Sequence, residues 1–228
     1  AFLRAAQAGI FIAASAGNAG PATSTVAHPS PWITTVAAGT HPREGKGSVA
    51  LGNGVIYSGA SVAIGGLPSA PFINSIDAGL PGADATALAL CFAAEDNAGA
   101  AVLDPAKVSG KIVLCDRGVN ARTNKSAAVK AAGGVGMVLV NISTNSINAD
   151  FHAVPSVHLQ ATDRAAVAAY AATPGATAAL APATIGNTGV APLTASFSSR
   201  GPLVAGGGDL LKPDIIAPGQ DVLAAVAP

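Results

Sequence analysis

Gly9-Ile10-Phe11-Ile12-Ala13-Ala14-Ser15-Ala16 is a continuously apolar run with no alternation of polar residues. Such a run suits a strand covered on both faces, as in a parallel sheet. Before it, residues 1–8 read as the end of an Ala-rich helix with Phe2, Leu3 and Ala6 on one face, stopped by Gly9. A helix feeding a buried strand is half of a βαβ unit. Two further runs have the same texture: 32–38, and 213–219 with Pro218-Gly219 at its end. Residues 193–198 read as a strand, followed by a turn at Arg200-Gly201-Pro202 and a Gly-rich loop over 204–209.

Between these ends the texture differs. Residues 48–57 predict a hairpin about Asn53-Gly54, because the favoured two-residue turn needs φ > 0 at both positions. From 59 to 96 the chain is rich in Gly, Pro, Ala and Ser, as in a crossing segment with short strands. Asp104-Pro105 predicts a capped helical turn over 104–108. Strands are expected at 111–115, 135–140 and 157–159. Helices are expected at 123–132, closed by Gly133-Gly134, and at 162–171, capped by Thr162. The fold class is therefore α/β, with three blocks. The first and third share one parallel sheet, and the middle block is a small α/β unit inserted between them.

Of 228 residues, half are hydrophobic and 11% are charged, with no net charge. That supports a sizeable core and excludes a disordered tail. It leaves no basic field for nucleic acid, and no apolar run reaches the length of a membrane span. The start, Ala1-Phe2-Leu3-Arg4, carries neither a signal peptide nor an initiator Met, so a processed or excised chain is expected. The two cysteines, Cys91 and Cys115, are either buried thiols or a disulfide worth ~3 kcal/mol by chain entropy.

Ser15-Ala16-Gly17-Asn18-Ala19-Gly20-Pro21 resembles the segment of subtilisin-like serine proteases that carries the oxyanion-hole asparagine. In the same order as in that family come Pro31 to Ala38, Phe197-Ser198-Ser199-Arg200-Gly201-Pro202, and Leu211 to Gly219. Read alone, Gly17-Asn18-Ala19-Gly20-Pro21 is good turn chemistry. The resemblance implies more. Asn18 would donate to the oxyanion that develops as a peptide bond is attacked. Ser15, Ala16 and Gly17 would line the pocket for the substrate residue before the scissile bond. Departures accompany the matches: the family's Asp, His and Ser motifs do not occur here, so the chain by itself is expected to be inactive. Ser198 and Ser199 have no general base placed beside them, which favours a structural reading.

Leu103 to Gly118, continuing through Ala131 to Val138, resembles the protease-associated (PA) domain inserted in many large subtilases, especially plant-type ones. This context implies a Cys91–Cys115 disulfide and secretion. It also implies a partial parallel subtilase sheet with an inserted small α/β PA domain. The expected division is residues 1–58 as a catalytic-domain segment, 59–183 as the PA domain with linkers, and 184–228 as a second catalytic-domain segment. The PA domain would select substrate or make protein contacts. The alternative is a stand-alone PA-type binding module without catalysis. Expected partners are a protein or peptide substrate and, through uncovered sheet edges, further copies of the chain; no nucleic acid or membrane partner is expected. No cofactor or metal is expected, since His28, His41, His152 and His158 lack ligand spacing. Arg117, Asn120, Arg122, Asn124 and Lys125 read as a polar loop for protein contact. The triplets at Asn124 and Asn141 read as chance glycosylation motifs.

Overall fold

The computed structural model describes residues 1–222. The helices are α1 (Phe2–Gln7), α2 (Ala85–Ala89), α3 (Pro105–Val108), α4 (Arg122–Ala131) and α5 (Arg164–Ala171). The strands are β1 (Ala13–Ser15), β2 (Thr34–Gly39), β3 (Glu44–Leu51), β4 (Ile56–Ala60), β5 (Leu67–Asn74), β6 (Ile112–Asp116), β7 (Gly136–Val140), β8 (Ser156–Leu159), β9 (Thr177–Leu180), β10 (Thr184–Gly186) and β11 (Ile215–Pro218). The chain divides into two compact units. One combines Ala1–Arg43 with the segment from Asn187 onward, and the other is Glu44–Gly186.

The first unit holds a parallel three-stranded sheet in the order β1-β2-β11, so the two ends of the chain pair with each other. Asp214 secures this pairing. Its Oδ2 accepts from the Thr35 amide at 2.6 Å and from Lys212 Nζ at 2.6 Å, and Lys212 also donates to the Ile33 carbonyl at 2.7 Å. The run 9–16 is a strand only at Ala13–Ser15, and Ile10 and Phe11 are 59% and 78% exposed. β1 is an edge strand whose register reaches β2 only from Thr34 to Val36, so it lacks the two-sided cover the uniform run suggested. The strand expected at 193–198 does not form. Thr194 makes a single bridge to Gly39, and the chain then turns inward, with Ser198 N donating to Ala195 O at 3.0 Å.

The second unit is built on eight strands in the order β10-β3-β4-β8-β7-β6-β5-β9. A further pairing of β3 with β9 closes seven of them into a barrel. β5 through β8 run parallel, and the others join antiparallel. The hairpin β3–β4, read from sequence with the first block, pairs inside this barrel. Leu51 N donates to Val55 O at 2.9 Å and closes a Gly52-Asn53-Gly54 loop in which only Gly54 has φ > 0, so the expected two-residue turn with φ > 0 at both positions is replaced by a three-residue one. β5 lies in the stretch read as a crossing segment. Pro68 and Pro71 disguised it, because proline is rare inside sheets.

Parity along β6 and β7 divides two cores. Ile112, Leu114, Val138 and Val140 face the barrel interior with Val49, Phe72 and Leu159, and Val167 and Ala171 of α5 pack there. Val113, Cys115, Met137 and Leu139 face outward beneath Leu88 of α2 and Val129 of α4. Both faces are covered, which is why these strands read as unbroken apolar runs. Asp104 Oδ1 caps α3 through the Ala106 amide at 2.9 Å. The expected Thr162 cap is absent: a short 3-10 turn precedes α5, and Gln160 accepts from the Ala161 amide at its start.

Candidate functional site

The turn leaving β1 is held from behind by residues 197–200. The Ala16 amide continues the parallel ladder to the Val36 carbonyl at 2.8 Å, and Ala16 O accepts from Ala27 N at 2.8 Å. Gly17 has φ +100°, and a Cβ there would stand 2.9 Å from Ser199 Oγ. Gly17 O accepts from Ser199 N at 2.9 Å, Ala19 N donates to Ser199 Oγ at 3.0 Å, and Gly20 N donates to Phe197 O at 3.0 Å. At Gly20 a Cβ would lie 2.0 Å from the Ser198 carbonyl oxygen, so only glycine admits this approach. Asn18 sits at the bend between these anchors with its side chain exposed. Ser15 is exposed as well, and its carbonyl accepts from His28 Nδ1 at 2.7 Å, whereas the Ala16 methyl is buried. The arrangement presents one carboxamide on a rigid turn, able to donate two N–H bonds outward.

Ser198 and Ser199 are fully buried and act as hydrogen-bond acceptors for backbone amides, Ser198 Oγ from Ala38 at 3.0 Å. Neither hydroxyl meets a histidine among the described residues. The contribution of 197–200 to the Asn18 turn was not legible in sequence, because no local pattern links segments so far apart.

The barrel unit carries a second polar concentration, around the N-terminus of α4. Arg122 grips Asp150 bidentately at 2.5 and 3.0 Å. Burial raises the Asp150 pKa, but the Arg122 hydrogen bonds and charge outweigh it and hold the carboxyl below its usual range. His152 Nδ1 meets Ser126 Oγ at 3.1 Å, and burial lowers the His152 pKa. A cavity of about 210 Å³ is lined here by Val62, Asp150, Phe151, His152, Val154 and Ser156.

His158 is buried. Its Nδ1 accepts from the Asn148 amide at 3.0 Å, so its proton sits on Nε2 and is donated to Asn141 Oδ1 at 2.8 Å. Burial first, then the nearby Arg117 and Arg122, push its pKa down to about 3. Asn141 is 1% exposed, and its Nδ2 is committed to Asn145 O and Gln160 Oε1, so this triplet offers no free amide for a glycan. The residues 117–125 are not all a surface loop as read from sequence. Lys125 is 0% exposed, since the first turn of α4 points it inward to the Leu90 carbonyl at 2.6 Å and to Asn120 Oδ1. Asp96, which sequence reading passed over, accepts from Asn120 Nδ2 at 2.9 Å and Asn124 Nδ2 at 3.0 Å. Cys91 and Cys115 form a disulfide that ties the end of α2 to the outer face of β6. Among the described residues, no group of three or more His, Cys, Asp or Glu side chains could hold a metal ion, and no helix is long and apolar enough to cross a membrane.

Residues 81–167 match the PA domain family, which places that match inside the barrel unit. Outside it, the parallel sheet and the glycine-anchored turn belong to a sequence that matches subtilisin-like proteases over 97% of its length, so the chain is a subtilase segment interrupted by a PA domain. In particular, it is 42% identical over 228 residues to subtilisin-like protease SBT1.7 of Arabidopsis thaliana and 41% identical over 229 residues to SBT5.3 of the same plant. The chain spans 28% of the length of each of these curated relatives. Among solved structures, the psychrophilic subtilisin-like protease Apa1 from Pseudoalteromonas sp. AS-11 aligns with 85% of this chain and 51% of its own, at 17% identity and a TM-score of 0.42.

Proposed function

We propose that this chain forms the substrate-binding side of a secreted subtilisin-like serine endopeptidase, with Asn18 as the oxyanion donor. The observation that carries the reading is the exposed Asn18 carboxamide, held on a turn that residues 197–200 fix through backbone hydrogen bonds. A donor that is already oriented stabilises the tetrahedral oxyanion without reorganising during the reaction. Ser15, Ala16 and Gly17 lead into it and line the pocket for the substrate residue before the scissile bond. The family's motifs for the nucleophilic Ser and for the His and Asp that activate it do not occur in this sequence, so the chain contributes binding and charge stabilisation rather than bond attack. The PA barrel acts as a docking surface for substrate protein.

The test is a chimera in which this segment replaces its counterpart in the Arabidopsis relative SBT1.7. Peptide hydrolysis by the chimera is expected. Asn18→Ala in that background should lower kcat about 100- to 1,000-fold with little change in KM, a magnitude carried over from subtilisin itself. An active chimera indifferent to Asn18→Ala would reject the oxyanion role. If the isolated chain instead captures peptides with undiminished affinity when residues 1–43 are altered, the binding-module reading replaces this one.

A further inference from the structure

We infer that Lys125 and Asn120 are the partners of an intramolecular isopeptide cross-link, in which the lysine Nζ replaces the amide nitrogen of the asparagine. Lys125 is fully buried, and Nζ meets only neutral oxygens: the Leu90 carbonyl at 2.6 Å and Oδ1 of Asn120. No carboxylate touches it among the described residues. The contrast with the chain's other buried lysine is direct, since Lys212 has the Asp214 carboxylate at 2.6 Å. A buried ammonium without a carboxylate in contact is costly, and the neutral amine or an amide removes that cost.

The carboxamide is fixed from its other side. Asn120 Nδ2 donates to Asp96 Oδ2 at 2.9 Å, and Asp96 is itself held by Asn124 Nδ2 at 3.0 Å and the Ala93 amide at 3.2 Å. Amine, carboxamide and carboxylate therefore stand in sequence, already positioned for an intramolecular reaction. Burial pushes the Lys125 pKa down to about 8, against the opposing influence of Asp96 and Asp116 and with that of Arg117, so neutral amine is available near neutral pH.

The neutral Nζ attacks Cγ of Asn120 and forms the new C–N bond. Within the adduct a proton moves from Nζ to Nδ2, and the Asp96 carboxylate, hydrogen-bonded to Nδ2, holds that nitrogen and stabilises the charge it gains. The Cγ–Nδ2 bond then breaks and ammonia leaves. An amine and a carboxamide become a secondary amide and ammonia, with no change of oxidation state and no co-reactant. The product carries no charge, so the buried cation disappears.

Intact-mass measurement of the full chain is the test, with its disulfide in place. The cross-linked chain is expected to be lighter than its sequence by about 17 Da, the mass of ammonia. Trypsin should then release residues 118–122 joined to residues 123–130, with no cleavage after Lys125. Asn120→Ala should restore full mass and cleavage after Lys125, and Asp96→Asn should slow the loss of ammonia. A wild-type chain of full mass that trypsin cuts after Lys125, both as purified and after days at about pH 9, where the amine is neutral, would overturn the inference.

Discussion

The amide of Ala19 donates to the hydroxyl of Ser199 at 3.0 Å, across 180 residues of sequence. The same serine closes on Gly17 through its own amide at 2.9 Å. Ser199 is thus the back wall of the Asn18 turn. Ser199→Ala should leave the Ala19 N–H unpaired and cost about 1–3 kcal/mol, read from denaturant unfolding. Gly17→Ala should cost at least as much, because it adds a Cβ 2.9 Å from Ser199 Oγ at a φ of +100°. Unchanged midpoints in both variants would show that the turn does not depend on this contact.

Neither Ser198 nor Ser199 is expected to react as a nucleophile, and Ser126, which meets His152, is buried with its hydroxyl donated to the Thr123 carbonyl at 2.7 Å. Ser198 and Ser199 are buried and accept from backbone amides, and neither meets an imidazole among the described residues. A fluorophosphonate probe should leave the chain unlabelled, and casein should remain intact. Labelling mapped to either serine would contradict this.

The Cys91–Cys115 bond spans 24 residues and binds the α2 end to β6. Replacing both cysteines by serine should destabilise the barrel unit by ~3 kcal/mol and lower its Tm on the order of 10 °C. The check is thermal unfolding of wild type and variant, with the reduced wild type expected to match the variant.

Acid should weaken the barrel unit through His158. Its folded pKa of about 3 lies below its ordinary value of 6.5, so below 6.5 the unfolded chain binds a proton that the folded chain refuses. Stability from this residue is full above about pH 6.5 and falls as pH drops toward 3, by on the order of 4 kcal/mol at the acid end. Asp150, held below its usual range, adds loss in the same direction as its folded pKa is crossed. Urea unfolding of wild type and His158→Gln across this window should give a flatter profile for the variant; parallel profiles would assign the acid sensitivity elsewhere.

The first unit should self-associate. β1 and β11 are the edges of its sheet, and Ile10, Phe11, Ile215 and Ile216 are 46–78% exposed. Sedimentation is expected to show mass rising with concentration, reduced by Phe11→Glu. A monomer across the accessible concentration range would count against it.

Legibility followed the range of the forces involved. Local rules located the Asn53-Gly54 hairpin, the Asp104 cap and the doubly buried runs of β6 and β7, because turn dihedrals, capping bonds and uniform apolarity are written in neighbouring residues. The same rules overextended β1, since an apolar run does not say whether anything covers it. They missed β5 because its prolines argue against a strand that only the closed barrel accommodates.

The sequence by itself determined the motifs: the glycine-flanked Asn18, the order of the subtilase-like segments and the PA-like block between them. The tertiary structure alone decided that Ser199 backs the Asn18 turn, that β3 closes on β9, and that Lys125, one cation in a polar stretch, is buried against an asparagine. Each of these joins residues that no local periodicity connects, and burial turns an ordinary polar side chain into a hydrogen-bonded support or a reactive amine.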